Sequence, residues 1–387
     1  MAQLNANLSL SGNTLFPDGQ IREATITLAG GTIQRAESGL NPTADLAVMG
    51  TIVPGFIDLQ VNGAYGFDFT GDAASVTAVA ERLPATGVTS FLPTVITSEF
   101  SAYPARLREI ERAMRRQQDP AQDQRGAVIL GVHLEGPYMN PLRKGAHPVS
   151  CIRKINLDEI RAWADPAVTR IVTLAPELDG ALEAIRALRE RGILVSEGHS
   201  DATYAQALAG FSAGASWGTH LFNAMAPLQH REPGLIGALL TTSVPCGMIV
   251  DGIHSHPAMV NLAWKAKGAQ QIMLITDSMA AMGMPEGRYQ LGEYAVVVDA
   301  TGARLEDGTL AGSILTMDQA VRNMMAFTGC SLSDAVQMAS VNPARLLGLK
   351  HKGAVAPGCD GDLVVLSPQN EVTHTFVGGE LIYSRNG

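Results

Sequence analysis

Two histidines and one glutamate in this sequence each stand at or just past the end of a short apolar run. Glu135 ends the apolar part of AVILGVHLEG, His199 follows GILVSEG, and His220 lies within ASWGTHLFNA. Two imidazoles and a carboxylate are a suitable ligand set for a zinc-like divalent ion that keeps one position open to water. Such an ion lowers the pKa of bound water to about 7. The three residues therefore predict a hydrolytic metal site.

Asp277 is a candidate proton carrier beside that site. It ends the apolar run of QIMLITDSM, where a carboxylate can take a proton from water and later give it to a leaving group. The alternative is structural, because an aspartate after a strand can also cap the following turn. Each histidine has a similar alternative as a hydrogen-bonded core residue. A buried glutamate without a partner would be costly, which favours a ligand role for Glu135.

The elements that must position these residues alternate short apolar runs with helical patterns. Strands that alternate with helices predict a parallel sheet, and eight of them predict a (β/α)8 barrel, an α/β fold. A doubly wound open sheet is the alternative, but no GxGxxG motif follows a strand. The predicted strands lie in GFIDLQVNG, SFLPTVIT, AVILGVHLEG, TRIVTLAPE, GILVSEGHS, ASWGTHLFNA, CGMIVDGIH and QIMLITDSM. Because barrel strands end at one mouth, their polar ends are expected to share a pocket.

The two ends of the chain contain strand patterns without helices. ATITLAGGTIQRA alternates and turns on Gly-Gly, and GDLVVLSPQNEVTHTFVGGELIYS alternates in the same way. We therefore predict a small β-sandwich domain formed from residues 1–53 and 346–387, and a barrel domain of residues 54–345.

Composition limits the partners and the location. Of 387 residues, 46% are hydrophobic and 17% charged, with a net charge of −9. No basic cluster suggests nucleic-acid binding. The four cysteines are scattered without a CxxC pair, which fits a reducing compartment. The N-terminus lacks a signal-peptide pattern and no apolar run reaches about 18 residues, so we expect a cytoplasmic protein that does not bind membranes.

Eight motifs along the chain carry a family resemblance. They are PGFIDLQVNG, HLEGPYMNPLRKGAHP, LAPE, SEGHSDAT, GTHLFNAMAPLQHREPG, DGIH, LITDSM and LAGSILTM. In this order they resemble the N-acetylglucosamine-6-phosphate deacetylases of the amidohydrolase superfamily, almost from end to end. The resemblance implies hydrolysis of the acetamide of N-acetylglucosamine 6-phosphate to glucosamine 6-phosphate and acetate, in amino-sugar catabolism or recycling.

The resemblance also implies a role for each matching residue. Glu135, His199 and His220 look like the ligands of a metal ion, Asp277 like the general base and acid, and His147 like the residue that hydrogen-bonds the acetyl carbonyl. Arg231 and His254 resemble phosphate contacts, which can cross the interface of the homodimer that is usual in this family. Substrate contacts are implied for Ala146, His147, Asn223, Ala224, Arg231, His254, Leu310, Ala311 and Gly312.

One departure from the wider superfamily concerns the number of metal ions. Many relatives carry His-x-His at the end of strand one for a second metal, whereas this chain has Gln60-Val61-Asn62. Neutral amides are weaker ligands for zinc-like ions than imidazole. We therefore predict one catalytic metal, with Gln60 and Asn62 near it or near its water. Zinc is the first candidate, and iron, cobalt and manganese also accept this ligand set.

Other functions stay open from the sequence. N-acetylgalactosamine 6-phosphate differs only at one sugar hydroxyl, which no motif identifies. A cyclic-amide hydrolase is disfavoured by the missing His-x-His and by the lack of a metal-bridging lysine after strand four. A non-catalytic sugar-phosphate-binding barrel is a further alternative. Taken alone, Arg231 also suits a surface ion pair, and His254 a metal or proton-transfer role.

Overall fold

The computed structural model describes residues 7–119, 121–122, 125–292 and 294–385. The strands, numbered in chain order, are β1 (Leu8–Leu15), β2 (Ile21–Ala29), β3 (Thr32–Ser38), β4 (Leu46–Pro54), β5 (Phe56–Val61), β6 (Gly63–Ala64), β7 (Phe67–Asp68), β8 (Val88–Ile96), β9 (Val128–Ile129), β10 (Val132–Glu135), β11 (Thr169–Leu174), β12 (Leu194–Glu197), β13 (Trp217–Gly218), β14 (Cys246–Met248), β15 (Ile272–Leu274), β16 (Gly287–Leu291), β17 (Tyr294–Asp299), β18 (Gly302–Arg304), β19 (Leu363–Leu366), β20 (Val372–Val377) and β21 (Glu380–Ser384). The α-helices are α1 (Ala73–Arg82), α2 (Tyr103–Gln118), α3 (Leu157–Trp163), α4 (Ala181–Glu190), α5 (Tyr204–Ala213), α6 (Gly234–Thr241), α7 (Pro257–Lys267), α8 (Met317–Thr328), α9 (Leu332–Val336) and α10 (Asn342–Leu346). None of the helices in the described ranges is both long and apolar enough to cross a membrane.

Eight parallel strands form the barrel, in the order β5, β8, β10, β11, β12, β13, β14 and β15, which confirms the eight predicted strands. The segment after β15 returns to β5. There the Asp277 amide donates to the Gln60 carbonyl at 2.9 Å, and the Asn62 amide donates to the Ser278 carbonyl at 2.7 Å. This closure brings the end of the eighth strand against the end of the first.

The barrel elements follow from their local sequence patterns. All nine residues of β8 are buried, as expected for a strand with the barrel interior on one side and helices on the other. The buried residues of α4 are Ala181, Ala184, Ile185 and Leu188, a spacing that lays one apolar stripe on the sheet. Helix α5 begins at a capping box in which the Thr203 and Gln206 side chains bond to each other's backbone amides.

Both chain ends join in one seven-stranded sheet, in the order β21, β20, β19, β4, β1, β2 and β3. The predicted hairpin is present, with β2 and β3 antiparallel and Gly30 and Gly31 at positive φ in the turn. The amide of Ile33 on β3 donates to the Cys359 carbonyl at 2.8 Å, which ties this edge strand to the loop before β19. It encloses a hydrophobic core of its own, with residues from both chain ends. The second β unit is confirmed, while the domain boundaries given above stay a prediction.

A small antiparallel sheet of β16, β17 and β18 stands between β15 and α8, and it was not predicted from the sequence. We call β16, β17 and β18 together the mouth sheet. Burial alternates along the second half of β17, so one face of the mouth sheet is covered. Apolar side chains of the mouth sheet form one cluster with Ile96, at the end of β8, and with Ala146. The mouth sheet therefore packs against the end of the barrel where the strands finish.

Candidate metal centre and active site

A pocket opens at the carboxyl ends of the barrel strands, and we call it the mouth pocket. Its lining includes the four residues for which the sequence predicts chemistry: Glu135, His199, His220 and Asp277. Six of the predicted substrate contacts, besides His147, line it as well: Ala146, Asn223, Ala224, His254, Leu310 and Gly312. One cavity thus collects residues from most of the barrel's strand ends.

The backbone at three of these strand ends is unusual. His199, His220 and Asp277 have φ values of 49°, 30° and 49°, in the left-handed region that residues other than glycine seldom adopt. Glu135 needs no such turn, because it is the last residue of β10. Backbone strain of this kind persists only where the surroundings hold it, and it concentrates at functional sites.

Glu135, His199 and His220 converge closely enough to share one ion. Oε1 of Glu135 lies 3.2 Å from Nε2 of His199 and 3.0 Å from Nε2 of His220, and the two Nε2 atoms lie 3.1 Å apart. In a tetrahedral zinc site with bonds of about 2.0–2.1 Å, ligand atoms lie about 3.3 Å from one another. Among the described residues, no other group of three His, Cys, Asp or Glu side chains converges in this way. The donor set and its spacing therefore fit one divalent ion.

The protonation states suit a cation at this position. Nδ1 of His199 lies 2.9 Å from the Arg143 carbonyl, which can only accept, so the ring proton is on Nδ1 and Nε2 is free for a ligand bond. Burial lowers the pKa of His199 to about 4, which keeps its imidazole neutral. Burial alone would raise the pKa of Glu135, but the imidazoles of His147, His199 and His220 beside its carboxylate hold that pKa well below its usual range.

Gln60 and Asn62 connect the ligand carboxylate to the proposed base. Nε2 of Gln60 donates to Oε1 of Glu135 at 2.9 Å and to Oδ1 of Asp277 at 3.0 Å. Nδ2 of Asn62 donates to the same Oδ1 at 2.7 Å. Both amides therefore hold carboxylates beside the predicted ion site.

The Asp277 carboxylate has the environment of a proton carrier. Its side-chain bonds go to Gln60 and Asn62 rather than to the backbone of the following turn, which disfavours the capping alternative. Burial, and after it the charge of Glu135, raises the pKa of Asp277 to about 6. A base is most effective when its pKa lies near the working pH.

His147 can donate a hydrogen bond into the mouth pocket. The amide of Thr97 donates to Nδ1 of His147 at 3.2 Å, so the proton of the neutral ring is on Nε2. Nε2 lies 3.6 Å from Oε2 of Glu135, beside the ion site. The N–H group is therefore placed to bond an oxygen atom of a molecule that occupies the pocket.

Two predicted substrate contacts lie away from the mouth pocket of their own chain. Ala311 is completely buried, within the cluster that joins the mouth sheet to the barrel. Arg231 is exposed, in a run of six exposed residues from Pro227 to Glu232. A direct contact of Arg231 with a ligand in its own pocket is therefore not supported by this structure.

The structure also gives contacts to residues that sequence reasoning left without a role. Asp251 accepts from Nδ1 of His254 at 2.7 Å, which orients that imidazole at the pocket wall. Glu177 accepts from Asn140, Ser200 and the amide of Asp201, so its bonds are structural. Ile96, Leu291 and Thr309 line the pocket and were not predicted. A signal that includes Leu291 lies in the alternating pattern GRYQLGEYAVVV, which predicts an added hairpin but not what the hairpin covers.

The fold and the site define the class of protein. The chain belongs to the amidohydrolase family, whose sequence profile matches residues 51–382. It is 43% identical over 342 residues to the N-acetylglucosamine-6-phosphate deacetylase of Bacillus subtilis, which covers 86% of this chain and 84% of that protein. It is 40% identical over 336 residues to an N-acetylgalactosamine-6-phosphate deacetylase of Escherichia coli O157:H7, covering 85% and 87%. A mutant of N-acetyl-D-glucosamine-6-phosphate deacetylase from Mycobacterium smegmatis, solved in complex with N-acetyl-D-glucosamine-6-phosphate, superposes with a TM-score of 0.90 at 36% identity, over 98% of this chain and all of that one.

Proposed function

We propose that this protein hydrolyses the acetamide of N-acetylglucosamine 6-phosphate to glucosamine 6-phosphate and acetate. The observation that carries the proposal is the convergence of Glu135, His199 and His220 beside Asp277 in one pocket of an amidohydrolase barrel. Support for this substrate comes from relatives with that activity in their names, at 40–43% identity over most of the chain. The reaction serves amino-sugar catabolism or recycling.

One divalent ion, Zn²⁺ in our proposal, is held by Glu135, His199 and His220. When bound, such an ion supplies Lewis acidity, which lowers the pKa of a water molecule and favours negative charge on a carbonyl oxygen. The amide nitrogens of Gln60 and Asn62 donate to carboxylates, which supports one ion rather than two. Iron, cobalt and manganese are the alternatives that reconstitution would separate.

The protein's own groups carry the proton transfers in this mechanism. Asp277 takes a proton from the attacking water, and the same carboxyl group then gives it to the departing amine. The N–H of His147 donates to the carbonyl oxygen as negative charge develops there. The remaining predicted contacts orient the sugar, so that the acetamide lies beside Asp277.

Replacing His147 with phenylalanine is expected to lower kcat by about 10²–10³-fold, the usual effect of removing one donor to an oxyanion. Phenylalanine keeps a ring against His199, whose ring centroid lies 4.5 Å away. His147→Gln, which keeps an N–H donor, is the matched variant and should retain more activity. An unchanged kcat in His147→Phe would remove the proposed donor role.

Arg231 is proposed to contact the substrate phosphate in the pocket of a second subunit, because it is exposed and outside its own pocket. A planar guanidinium suits a phosphate through two parallel hydrogen bonds. Arg231→Ala should raise KM by about 10–150-fold with little change in kcat, since a hydrogen bond to a charged group is typically worth about 1.5–3 kcal/mol. His230→Ala, in the same exposed loop, is the control.

Mixed subunits test the homodimer that this proposal requires. A dimer of one Arg231→Ala chain and one Asp277→Asn chain has one complete pocket. That pocket has the intact aspartate of the first chain and the intact arginine of the second chain. Recovery of the unaltered KM in the mixture supports contact across subunits. A KM that stays raised in the mixture, or that is not raised in Arg231→Ala itself, contradicts it.

The proposed function is tested by acetate release from N-acetylglucosamine 6-phosphate, with and without a chelator and after reconstitution with Zn²⁺. We expect release that the chelator abolishes and the metal restores. N-acetylgalactosamine 6-phosphate is the second substrate to compare, because one of the relatives acts on it by name. Absence of acetate from both sugars, with metal present, would favour a non-catalytic binding barrel.

The cellular location proposed for this reaction is the cytoplasm. Cys246, Cys330 and Cys359 are free thiols, which fits a reducing compartment. Fractionation of cells that express the full chain would check the location.

A further inference from the structure

The mouth pocket has an apolar wall to which the proposed mechanism gives no role in binding the acetyl group. Ile96, Ala146 and Leu291 line the pocket and belong to one hydrophobic cluster at the mouth sheet. They are only 8%, 9% and 4% exposed, so the wall is fixed by packing on its far side. The cluster continues into other buried residues of the mouth sheet, among them Val296 and Val298.

This wall lies next to the groups that would bind the acyl carbonyl. Ile96 is the register partner of Glu135 on the neighbouring parallel strand, so both side chains face the same side of the sheet. The next residue, Thr97, donates its amide to His147, and Ala146 directly precedes His147. Two of the three wall residues are therefore neighbours of the proposed carbonyl donor.

Leu291 is the last residue of β16, and it completes the wall from the mouth sheet. A Cβ atom built on the adjacent Gly292 would lie 3.2 Å from Cδ1 of Ile96, which shows how closely the turn approaches that side chain. Gly292 has a φ of 57°, a conformation that favours glycine. Gly292 thus lies close to Ile96 directly after Leu291.

We propose that Ile96, Ala146 and Leu291 form an acyl subsite, which takes the methyl group of the acetamide and sets the length of acyl chain that the enzyme accepts. This inference rests on the proposed deacetylase function. The carbonyl carbon has three substituents before attack. Its oxygen is directed to His147 and its nitrogen to Asp277, so the methyl group takes the remaining direction. An apolar group is best accommodated by an apolar wall, and this wall lies beside the proposed carbonyl donor.

The packing behind the wall makes it selective. Ile96 meets the turn after β16, and Leu291 meets the core of the mouth sheet, so neither side chain can move back without displacing packed neighbours. A chain longer by one methylene must then displace part of the wall. One methylene more or less in an apolar pocket typically changes kcat/KM by about 10–200-fold.

The experiment compares N-acetyl, N-propionyl and N-butyryl glucosamine 6-phosphate by carboxylate release from the metal-loaded protein. We expect the unaltered protein to prefer acetyl over propionyl by about tenfold or more. Leu291→Ala should narrow that preference, and so should Ile96→Val, a smaller change that preserves the fold. In each variant, propionyl turnover should rise by more than acetyl turnover falls. Val298→Ala is the matched control, since this buried residue belongs to the same cluster without lining the pocket.

The outcomes separate this inference from the proposed function. If the unaltered protein releases no carboxylate from any of the three sugars, the proposed function fails. If acetate is released but the acetyl-to-propionyl ratio is unchanged in both Leu291→Ala and Ile96→Val, the acyl subsite is wrong. The same conclusion holds if Val298→Ala narrows the ratio as much, because general loosening of the mouth sheet would then explain the effect.

Discussion

Asp277→Asn is expected to lower kcat for deacetylation by about 10³-fold, within the range that general acid–base catalysis usually contributes. Asparagine can neither take the proton of water nor protonate the departing amine. The substitution leaves the rest of the site in place for two reasons. Asparagine keeps an oxygen that can accept from Gln60 and Asn62, and it tolerates the left-handed backbone that Asp277 adopts at φ 49°.

Two measurements make this result specific to proton transfer. Metal content per chain, by elemental analysis, and KM for the sugar phosphate should both stay close to those of the unaltered protein. Asp277→Ala is a poorer probe, because alanine removes the acceptor for two buried amides and fits the backbone conformation less well. Turnover close to that of the unaltered protein in Asp277→Asn would show that another group carries the proton.

The second large effect is expected from the ligand histidines. His199→Asn and His220→Asn should each lower kcat/KM by at least about a thousandfold, because loss of the ion removes several kcal/mol of charge stabilisation. Asparagine again suits the backbone, since both histidines have positive φ. Metal content should fall together with activity, and a high concentration of added Zn²⁺ should restore little of either.

A histidine elsewhere in the barrel provides the control for these variants. His256 accepts from the Ala258 amide as the N-cap residue of α7, a position where asparagine is equally favourable. His256→Asn should therefore keep full metal content, activity and thermal stability. Full occupancy of the metal in His199→Asn or His220→Asn would contradict the ligand assignment.

Local patterns were sufficient to predict the architecture. Each barrel strand is a short apolar run with polar residues at or just past its end, and intervening helices such as α4 have their apolar residues on one face. Such patterns arise within one strand or helix, so they can be recognised without knowing which element packs against it. The mouth sheet was the exception, because GRYQLGEYAVVV has the alternation of a hairpin but no signal of what it covers. Only its packing against Ile96 and Ala146 makes it part of the pocket.

The roles of Gln60 and Arg231 illustrate the limit of sequence reasoning. The sequence placed Gln60 near the metal or its water, but the bond partners depend on residues 75 and 217 positions away, Glu135 and Asp277. Arg231 matches a family motif, yet the folded chain leaves it exposed and outside its own pocket. Side-chain partners at such separations are fixed by how the barrel closes, which no local pattern encodes.

The sequence by itself determined the strand and helix order, the presence of a second β unit, and which strand ends carry imidazoles and carboxylates. These properties depend on the periodicity and chemistry of neighbouring residues. Only the tertiary structure decided that Oε1 of Glu135 and the Nε2 atoms of His199 and His220 lie within 3.2 Å of one another. It also decided that two side-chain amides bind Asp277 and that an apolar wall lies beside His147. These contacts join residues that are far apart in the chain. They depend on the return of the eighth strand to the first and on the mouth sheet that packs against the end of the barrel.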